Sequence, residues 1–357
     1  MTPRLRVLVV DDSALMRRLI ADLLQADPGI EVVGTASDGI EAMAQIAALN
    51  PDVVTLDVQM PRMSGLEVLQ HIMRQRPLPV VMLSGLTDPD ITLTALELGA
   101  VDFVLKPSGT MSVDLYKIRD ELLEKVRVAV FADLHTLSHP VRPPHVPIPP
   151  QFGACYPLAL AVSEPDWLVA VAASTGGPRA LEVLVRGLPE NLPAAVVIVQ
   201  HMPRGFTTSL AKRLNSRSDL PVKEAEQDES VEGNRVYIAP AGRHLRLTLD
   251  QANKRVKFDL DDSPPVLGLR PAANVMMESA AQVYGRRCIG VVLTGMGSDG
   301  TRGFQVIKQH GGQTLTQDQS SSVVYGMPRS AVESGFADQV LSLSQMAGAI
   351  VCLVQKE

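Results

Sequence analysis

Short apolar runs alternate with segments of helical period along most of the chain. The first run, LRVLVV at 5–10, is broken only by Arg6 and ends in Asp11-Asp12-Ser13. Leu15, Leu19, Ile20 and Leu23 then recur at helical spacing. Runs at 30–33, 52–57, 79–84 and 101–105 repeat the strand pattern, and segments at 39–48, 65–73, 91–98 and 113–130 repeat the helical one. Strands alternating with helices predict a parallel sheet wound on both faces.

From about 131 to 151 the periodicity dissolves, and six prolines fall within 140–150. Such a stretch has few backbone donors and prefers stiff, extended conformations, so it reads as a connector. The predicted division is a first domain at 4–125, a Pro-rich linker at 126–163 and a second domain at 164–355. His135, His139 and His145 lie in or near the linker without an accompanying cysteine or carboxylate cluster, and read as exposed residues rather than metal ligands.

The alternation resumes with VAVAA at 169–173, which stops at Ser174-Thr175-Gly176-Gly177-Pro178 and passes into a helix to 186. Further strands are predicted at 194–199, 222–224, 235–239, 288–293 and 312–316, with a hairpin over 244–249 and 257–259. Helices are predicted at 206–214, 272–284, 301–310, 330–333 and 343–353. The expected class is again doubly wound, mostly parallel α/β, with a small hairpin.

Composition narrows the possibilities. Apolar residues make up 46% of the chain and charged ones 20%, which indicates globular domains with ample cores. A net charge of −6 argues against a general nucleic-acid binder. The three cysteines, Cys155, Cys288 and Cys352, are far apart and odd in number, which points to a reducing compartment without disulfides. The apolar start is too short for a signal peptide and no uncharged stretch could span a membrane, so the expected location is the cytoplasm, with no membrane insertion.

In the first domain the strand ends carry a set of polar residues: Asp11, Asp12, Asp57, Ser84 and Lys106. In an open parallel sheet, ligands sit at strand C-terminal ends near a topological switch point, as in the flavodoxin-like order. Crowded carboxylates repel one another and call for a divalent cation, and oxygen ligands suit Mg²⁺. Ser84 can donate to an incoming phosphoryl group and Lys106 supplies positive charge. The alternative is five unrelated polar caps.

In the second domain Ser174, His201 and Asp299 each lie just past a strand end. A serine hydroxyl needs a base, histidine titrates in the right range, and a buried carboxylate fixes the imidazole tautomer. Thr294-Gly295-Met296-Gly297 is flexible enough to aim backbone N–H groups at an oxyanion. The alternatives are a small-residue turn or an anion-binding loop at Ser174, a structural or capping His201, and an Asp299 that belongs to a turn or caps a helix.

VVDDS, LDVQMPRMSGLE, MLSGLT and DFVLKPS together resemble a two-component receiver domain. The resemblance implies a flavodoxin-like, five-stranded doubly wound fold, phosphorylation of Asp57 by a chemotaxis histidine kinase, Mg²⁺ held by Asp11, Asp12 and Asp57, and switch roles for Ser84, Phe103 and Lys106. Phe103 also reads as plain core. ASTGGP, QHMPRGFTTSLAKRL, VYIAPAGRH and LTGMGSDG resemble the catalytic domain of the chemotaxis protein-glutamate methylesterases. That resemblance implies a nucleophile at Ser174, a base at His201, an orienting acid at Asp299, an oxyanion amide at Met296 and a positioning role for Thr175. The implied substrates are γ-glutamyl methyl esters of chemoreceptors, with deamidation of receptor glutamines through the same acyl-enzyme and no cofactor for ester hydrolysis. Ala173 stands where relatives often have glycine. A DNA-binding output or a non-catalytic scaffold are the competing classes.

Overall fold

The computed structural model describes residues 4–85, 89–106, 112–138, 165–252 and 254–355, with only the backbone for 112–117. The chain divides into two compact units, 1–140 and 141–357. Among the described residues, no helix is long and apolar enough to cross a membrane.

The first unit runs β1 (Leu5–Val10), α1 (Ala14–Gln25), β2 (Ile30–Ala36), α2 (Gly39–Leu49), β3 (Val53–Asp57), α3 (Gly65–Gln75), β4 (Val80–Ser84), α4 (Pro89–Glu97), β5 (Asp102–Leu105), α5 (Ser112–Ala129) and α6 (Leu134–Ser138). The sheet is parallel throughout, in the order β2-β1-β3-β4-β5. This is the flavodoxin-like order, with its switch point between β1 and β3. Val10 pairs with Leu56, so the two acid-bearing strand ends lie side by side at that point. β3 and β4 are buried along their whole length, which suits strands covered by helices on both faces. Polar residues start the helices: the Asp38 carboxylate accepts from the first turn of α2, and Ser64 and Glu67 form a capping box on α3.

The first unit continues past residue 125. α5 reaches Ala129, and α6 buries Leu137. A five-residue helix is too short to show a period, so 126–138 read as part of the linker. The proline-rich stretch, with His139, His145 and Cys155, lies outside the described residues.

The second unit runs β6 (Trp167–Ala173), α7 (Gly177–Arg186), β7 (Ala194–Gln200), α8 (Phe206–Asn215), β8 (Val222–Glu224), β9 (Arg235–Ile238), β10 (His244–Leu249), β11 (Val256–Asp261), α9 (Ala273–Tyr284), β12 (Cys288–Val292), α10 (Thr301–Gln309), β13 (Gln313–Gln317), α11 (Met327–Glu333), β14 (Gln339–Leu341) and α12 (Leu343–Val354). Seven parallel strands take the order β14-β13-β12-β6-β7-β9-β8. β10 and β11 form a separate antiparallel hairpin. β14 escaped the sequence reading because it has three residues at a sheet edge, with Val340 exposed.

β6 lies at the centre. The chain first builds outward from it through β7, then returns to its other side with β12, so the second switch point falls between β6 and β12. β7 and β12 are buried along their whole length, as is β6 after its first residue. Burying an aliphatic side chain contributes roughly 1.5–3 kcal/mol relative to exposure, so this frame can carry polar groups at its ends.

Candidate functional site

In the first unit, Asp11 and Asp57 are buried and Asp12 is exposed, and each offers an oxygen within 4.8 Å of the others. Lys106 Nζ, just past β5, lies 2.7 Å from Asp11 Oδ2 and 2.7 Å from Asp57 Oδ2. Apart from this ion pair, the buried Asp11 Oδ2 has no hydrogen-bond partner among the described residues. Burial pushes the Asp57 carboxyl above its ordinary range. The bond and charge of Lys106 pull it back only in part, and Asp11 adds to the rise. Carboxylates that crowd one another, with a lone pair left over, are the donor set a small hard cation needs, so the residues fit Mg²⁺.

Ser84 Oγ lies 2.6 Å from Thr92 Oγ1 and donates to the Gly85 carbonyl. Phe103 is buried, and Lys125 Nζ donates to its carbonyl while lying 5.2 Å from its ring centroid.

In the second unit the residues past β6, β7 and β12 converge. His201 N donates to the Ala173 carbonyl at 3.1 Å, which sets the histidine beside the start of the Ser174 turn. His201 Nε2 lies 2.8 Å from Asp299 Oδ2, and both side chains are almost fully buried. With an ionised carboxylate as acceptor, the imidazole proton sits on Nε2 and Nδ1 keeps its lone pair. Among the described residues, the half-buried Ser174 hydroxyl makes no hydrogen bond to the imidazole; such bonds are often long before substrate arrives.

Asp299 is held from the side the sequence reading overlooked. Its oxygens accept from Ala273 N at 2.6 Å and Asn274 N at 2.9 Å, the first N–H groups of α9. A helix N-terminus favours negative charge there. Burial alone would raise the Asp299 pKa, but the His201 bond and charge and the two backbone donors outweigh it, and the carboxyl titrates below its ordinary range. Asn274 Oδ1 in turn accepts from Gly300 N and Gly303 N and ties α9 to the start of α10. His244, fully buried, accepts from Ala272 N on Nδ1 and reaches the Pro264 carbonyl through Nε2. The available signal was polarity out of place: Asn274 stands alone in the run PAANVMM.

Hydrogen bonds pin the Thr294–Gly295 start of the Thr294–Gly297 loop. Ser174 N donates to Thr294 O at 3.1 Å, Gly295 N to Val324 O at 3.0 Å, and Gly326 N and Met327 N both to Gly295 O. Glycine is needed at 295 for close approach, since a Cβ there would lie 2.8 Å from Ser174 Cβ. Among the described residues, Met296 N donates to no carbonyl. Thr175 is buried, and its carbonyl accepts from Thr294 Oγ1. Gln200 Nε2 donates to the carbonyls of both Ser174 and His201.

Comparison with known proteins decides the family. The family model described as CheB methylesterase matches residues 169–350, and the one described as response regulator receiver domain matches 7–115. The protein-glutamate methylesterase/protein-glutamine glutaminase of Geobacillus kaustophilus is 48% identical over 353 residues, covering 98% of this chain and 99% of its own. The protein of the same name from Thermotoga maritima is 44% identical, with 99% and 100% covered. The chain belongs to the protein-glutamate methylesterase/protein-glutamine glutaminase family.

The crystal structure of the Thermotoga maritima CheB methylesterase catalytic domain also matches, with 45% identity, a TM-score of 0.52, and coverage of 54% of this chain and all of that one. Family membership over the full length makes this chain an esterase with a receiver domain, and sets aside the DNA-binding and scaffold classes.

Proposed function

We propose that this enzyme hydrolyses γ-glutamyl methyl esters on chemoreceptor helices, and deamidates particular receptor glutamines, through a Ser174–His201–Asp299 acyl-enzyme mechanism activated by phosphorylation of Asp57. The 2.8 Å pair of His201 Nε2 with Asp299, at the same sheet edge as Ser174, carries the catalytic half of this reading. The names of the relatives support the two substrates.

His201 Nδ1 takes the Ser174 proton as Oγ attacks the ester carbonyl carbon. The resulting oxyanion accepts from Met296 N–H, and Asp299 stabilises the imidazolium. Collapse expels methanol, or ammonia from glutamine, with the proton returned by His201. Water then attacks the acyl-enzyme by the same route, releasing glutamate and regenerating the serine. Thr175 helps to position the histidine.

In the receiver, the Asp57 carboxylate accepts a phosphoryl group from a chemotaxis histidine kinase. Lys106 pairs with the new charge, and Ser84 turns its hydroxyl from the Gly85 carbonyl to donate to the phosphoryl oxygen, with Phe103 following as the second switch residue. Asp11, Asp12 and Asp57 would hold Mg²⁺, which offsets the charge of the transferring group. The enzyme would act on the cytoplasmic side of the receptors.

Methanol release from methylated receptor membranes tests the whole scheme, with and without a small-molecule phosphodonor and Mg²⁺. Release should be stimulated by the phosphodonor, abolished in Ser174→Ala and unstimulated in Asp57→Ala. Full activity in folded Ser174→Ala would sink the acyl-enzyme mechanism.

A further inference from the structure

The proposed nucleophile and the proposed oxyanion donor sit on different strand ends: Ser174 after β6 and Met296 after β12. Oxyanion stabilisation depends on donors held about 2.7–3.1 Å from where charge develops, so something must fix the spacing between these segments. The strand ladder makes part of that connection, with Leu293 N on Ala172 O and Ser174 N on Thr294 O, and one hydroxyl extends it to the serine turn and the segment after β13.

Thr294 is fully buried. Its Oγ1 donates to the Thr175 carbonyl at 2.9 Å and accepts from Val324 N at 2.9 Å, with Val324 O 3.2 Å away. Thr175 belongs to the serine turn, and Val324 to the segment that also receives Gly295 N. The main chain adds to the junction, since Thr294 O accepts from Ser174 N. Thr294 N donates to Oε1 of Gln317 at 2.8 Å. Gln317 is fully buried at the end of β13, and its Nε2 donates to Ser321 O. The turn after β6, the loop after β12 and the segment after β13 thus meet at one side chain.

We infer that Thr294 is a positioning residue for hydrolysis: its hydroxyl sets the distance between Ser174 and the Met296 amide, and Gln317 fixes the strand end from which the Met296 loop departs. The inference rests on the acyl-enzyme reading above. The chemistry requires a hydroxyl there. A valine fills the same volume but neither donates to Thr175 O nor accepts from Val324 N. Among the described residues, Thr294 Oγ1 is the acceptor for that N–H. An unpaired buried N–H drives the segment to move until it finds a partner, and the Gly295 anchor on Val324 moves with it.

The test uses the full chain, phosphodonor and Mg²⁺, with methanol release from methylated receptor membranes as the assay. Removing an oxyanion donor outright costs roughly 10²–10³ in kcat, so misplacing one in Thr294→Val should cost about 10–100-fold with KM nearly unchanged. Thr294→Ser restores both hydrogen bonds and should stay within about threefold of wild type. A short alkyl boronic acid, which bonds to serine Oγ as a tetrahedral anion, should lose affinity for Thr294→Val in step with the loss in kcat/KM. Gln317→Met, near in shape but without the amide, provides a second route should Thr294→Val not fold, and should lower kcat in the same direction.

A Thr294→Val enzyme that melts earlier but turns over at the wild-type rate would reduce Thr294 to a packing role. So would a kcat loss with unchanged boronate affinity, or a Thr294→Ser enzyme as impaired as the valine variant. Ser174→Ala, run in parallel, separates the layers. If it retains activity, the acyl-enzyme reading fails; if it is inactive while Thr294→Val and Gln317→Met are normal, only the positioning role fails.

Discussion

Asp57 and Asp299 occupy equivalent places in the two units, each buried beyond or at the end of a parallel strand beside a switch point, yet their acidities move in opposite directions. For both, burial is the largest influence and opposes the charged form. Asp299 overcomes it with an imidazole and two backbone donors at the start of α9. Asp57 has Lys106 and Gln59 N, but shares the lysine with Asp11 and remains raised. The difference is between a carboxylate whose partners all belong to the protein and one that awaits a partner from outside. The first suits a fixed orienting role, the second a site that is charged, metallated and modified in turn.

Breaking the complete site should have the larger effect. Asp299→Asn keeps the shape but removes the acceptor that places the proton on His201 Nε2, and the amide presents an N–H toward donors that already point at it. The corresponding change in a serine protease triad lowers kcat about 10⁴-fold, and a loss of similar size is expected here by methanol release. Phosphoryl uptake at Asp57, read with a labelled phosphodonor, should persist. Because the folded-state pKa of Asp299 is lowered, its contribution to stability is present above the ordinary carboxylate range and is lost as the pH falls through that lowered value.

Asp57 has the opposite sign. Its raised pKa means that the folded state binds a proton the unfolded state has already released. Stability therefore falls as the pH climbs from the ordinary carboxylate range through the raised value. Mg²⁺ should reverse that loss, raising the melting temperature of the receiver transition at neutral pH and doing so less near pH 4. Asp57→Asn should stabilise the metal-free chain, by on the order of 1 kcal/mol, and abolish phosphodonor stimulation. Calorimetry with Mg²⁺ or a chelator checks this. A metal-free Asp57→Asn protein that melts below wild type at neutral pH would contradict the account of Asp57 as an incompletely paired charge.

The two sites also differ in how far the sequence reveals them. The acidic site is built from side chains that end strands, and each strand announces itself by an apolar run stopping at a polar residue: Asp11 after LRVLVV, Asp57 after VVTL, Lys106 after DFVL. Strand order then brings them together with little help from elsewhere. Ser174 and His201 are legible for the same reason. The support of Asp299 is not, because its partners are main-chain N–H groups of Ala273 and Asn274, which no residue type encodes. The Thr294 loop misled for a related cause. Its glycines read as freedom, whereas the bonds with Ser174, Val324, Gly326 and Met327 are tertiary and hold Thr294 and Gly295. Periodicity also failed where elements were short, as with α6 and β14.

The smallest expected effect tests whether the completeness of the Asp299 site extends one layer outward. The N-cap position of α10 is Gly300, which sits at φ +95° and has no side chain with which to cap the helix. Asn274, from another helix, supplies the missing acceptor through Oδ1 to Gly300 N and Gly303 N, while its own N–H holds Asp299. One residue thus caps α10 and orients the acid. Asn274→Ala keeps the backbone donor but removes the cap. Gly300 N retains Asp299 Oδ1 as an acceptor at 3.1 Å, whereas Gly303 N loses the Asn274 oxygen. Loss of a cap costs about 0.5–2 kcal/mol, and the second unit should melt a few degrees earlier. Since Asp299 also shares a main-chain neighbour with the disturbed helix start, kcat should fall by roughly 3–10-fold, far less than for Asp299→Asn. Thermal melts and initial rates on the same preparation separate the two consequences. Unchanged kcat beside a lowered melting temperature would confine the role of Asn274 to the helix, and leave the α9 backbone as the outer limit of what Asp299 requires.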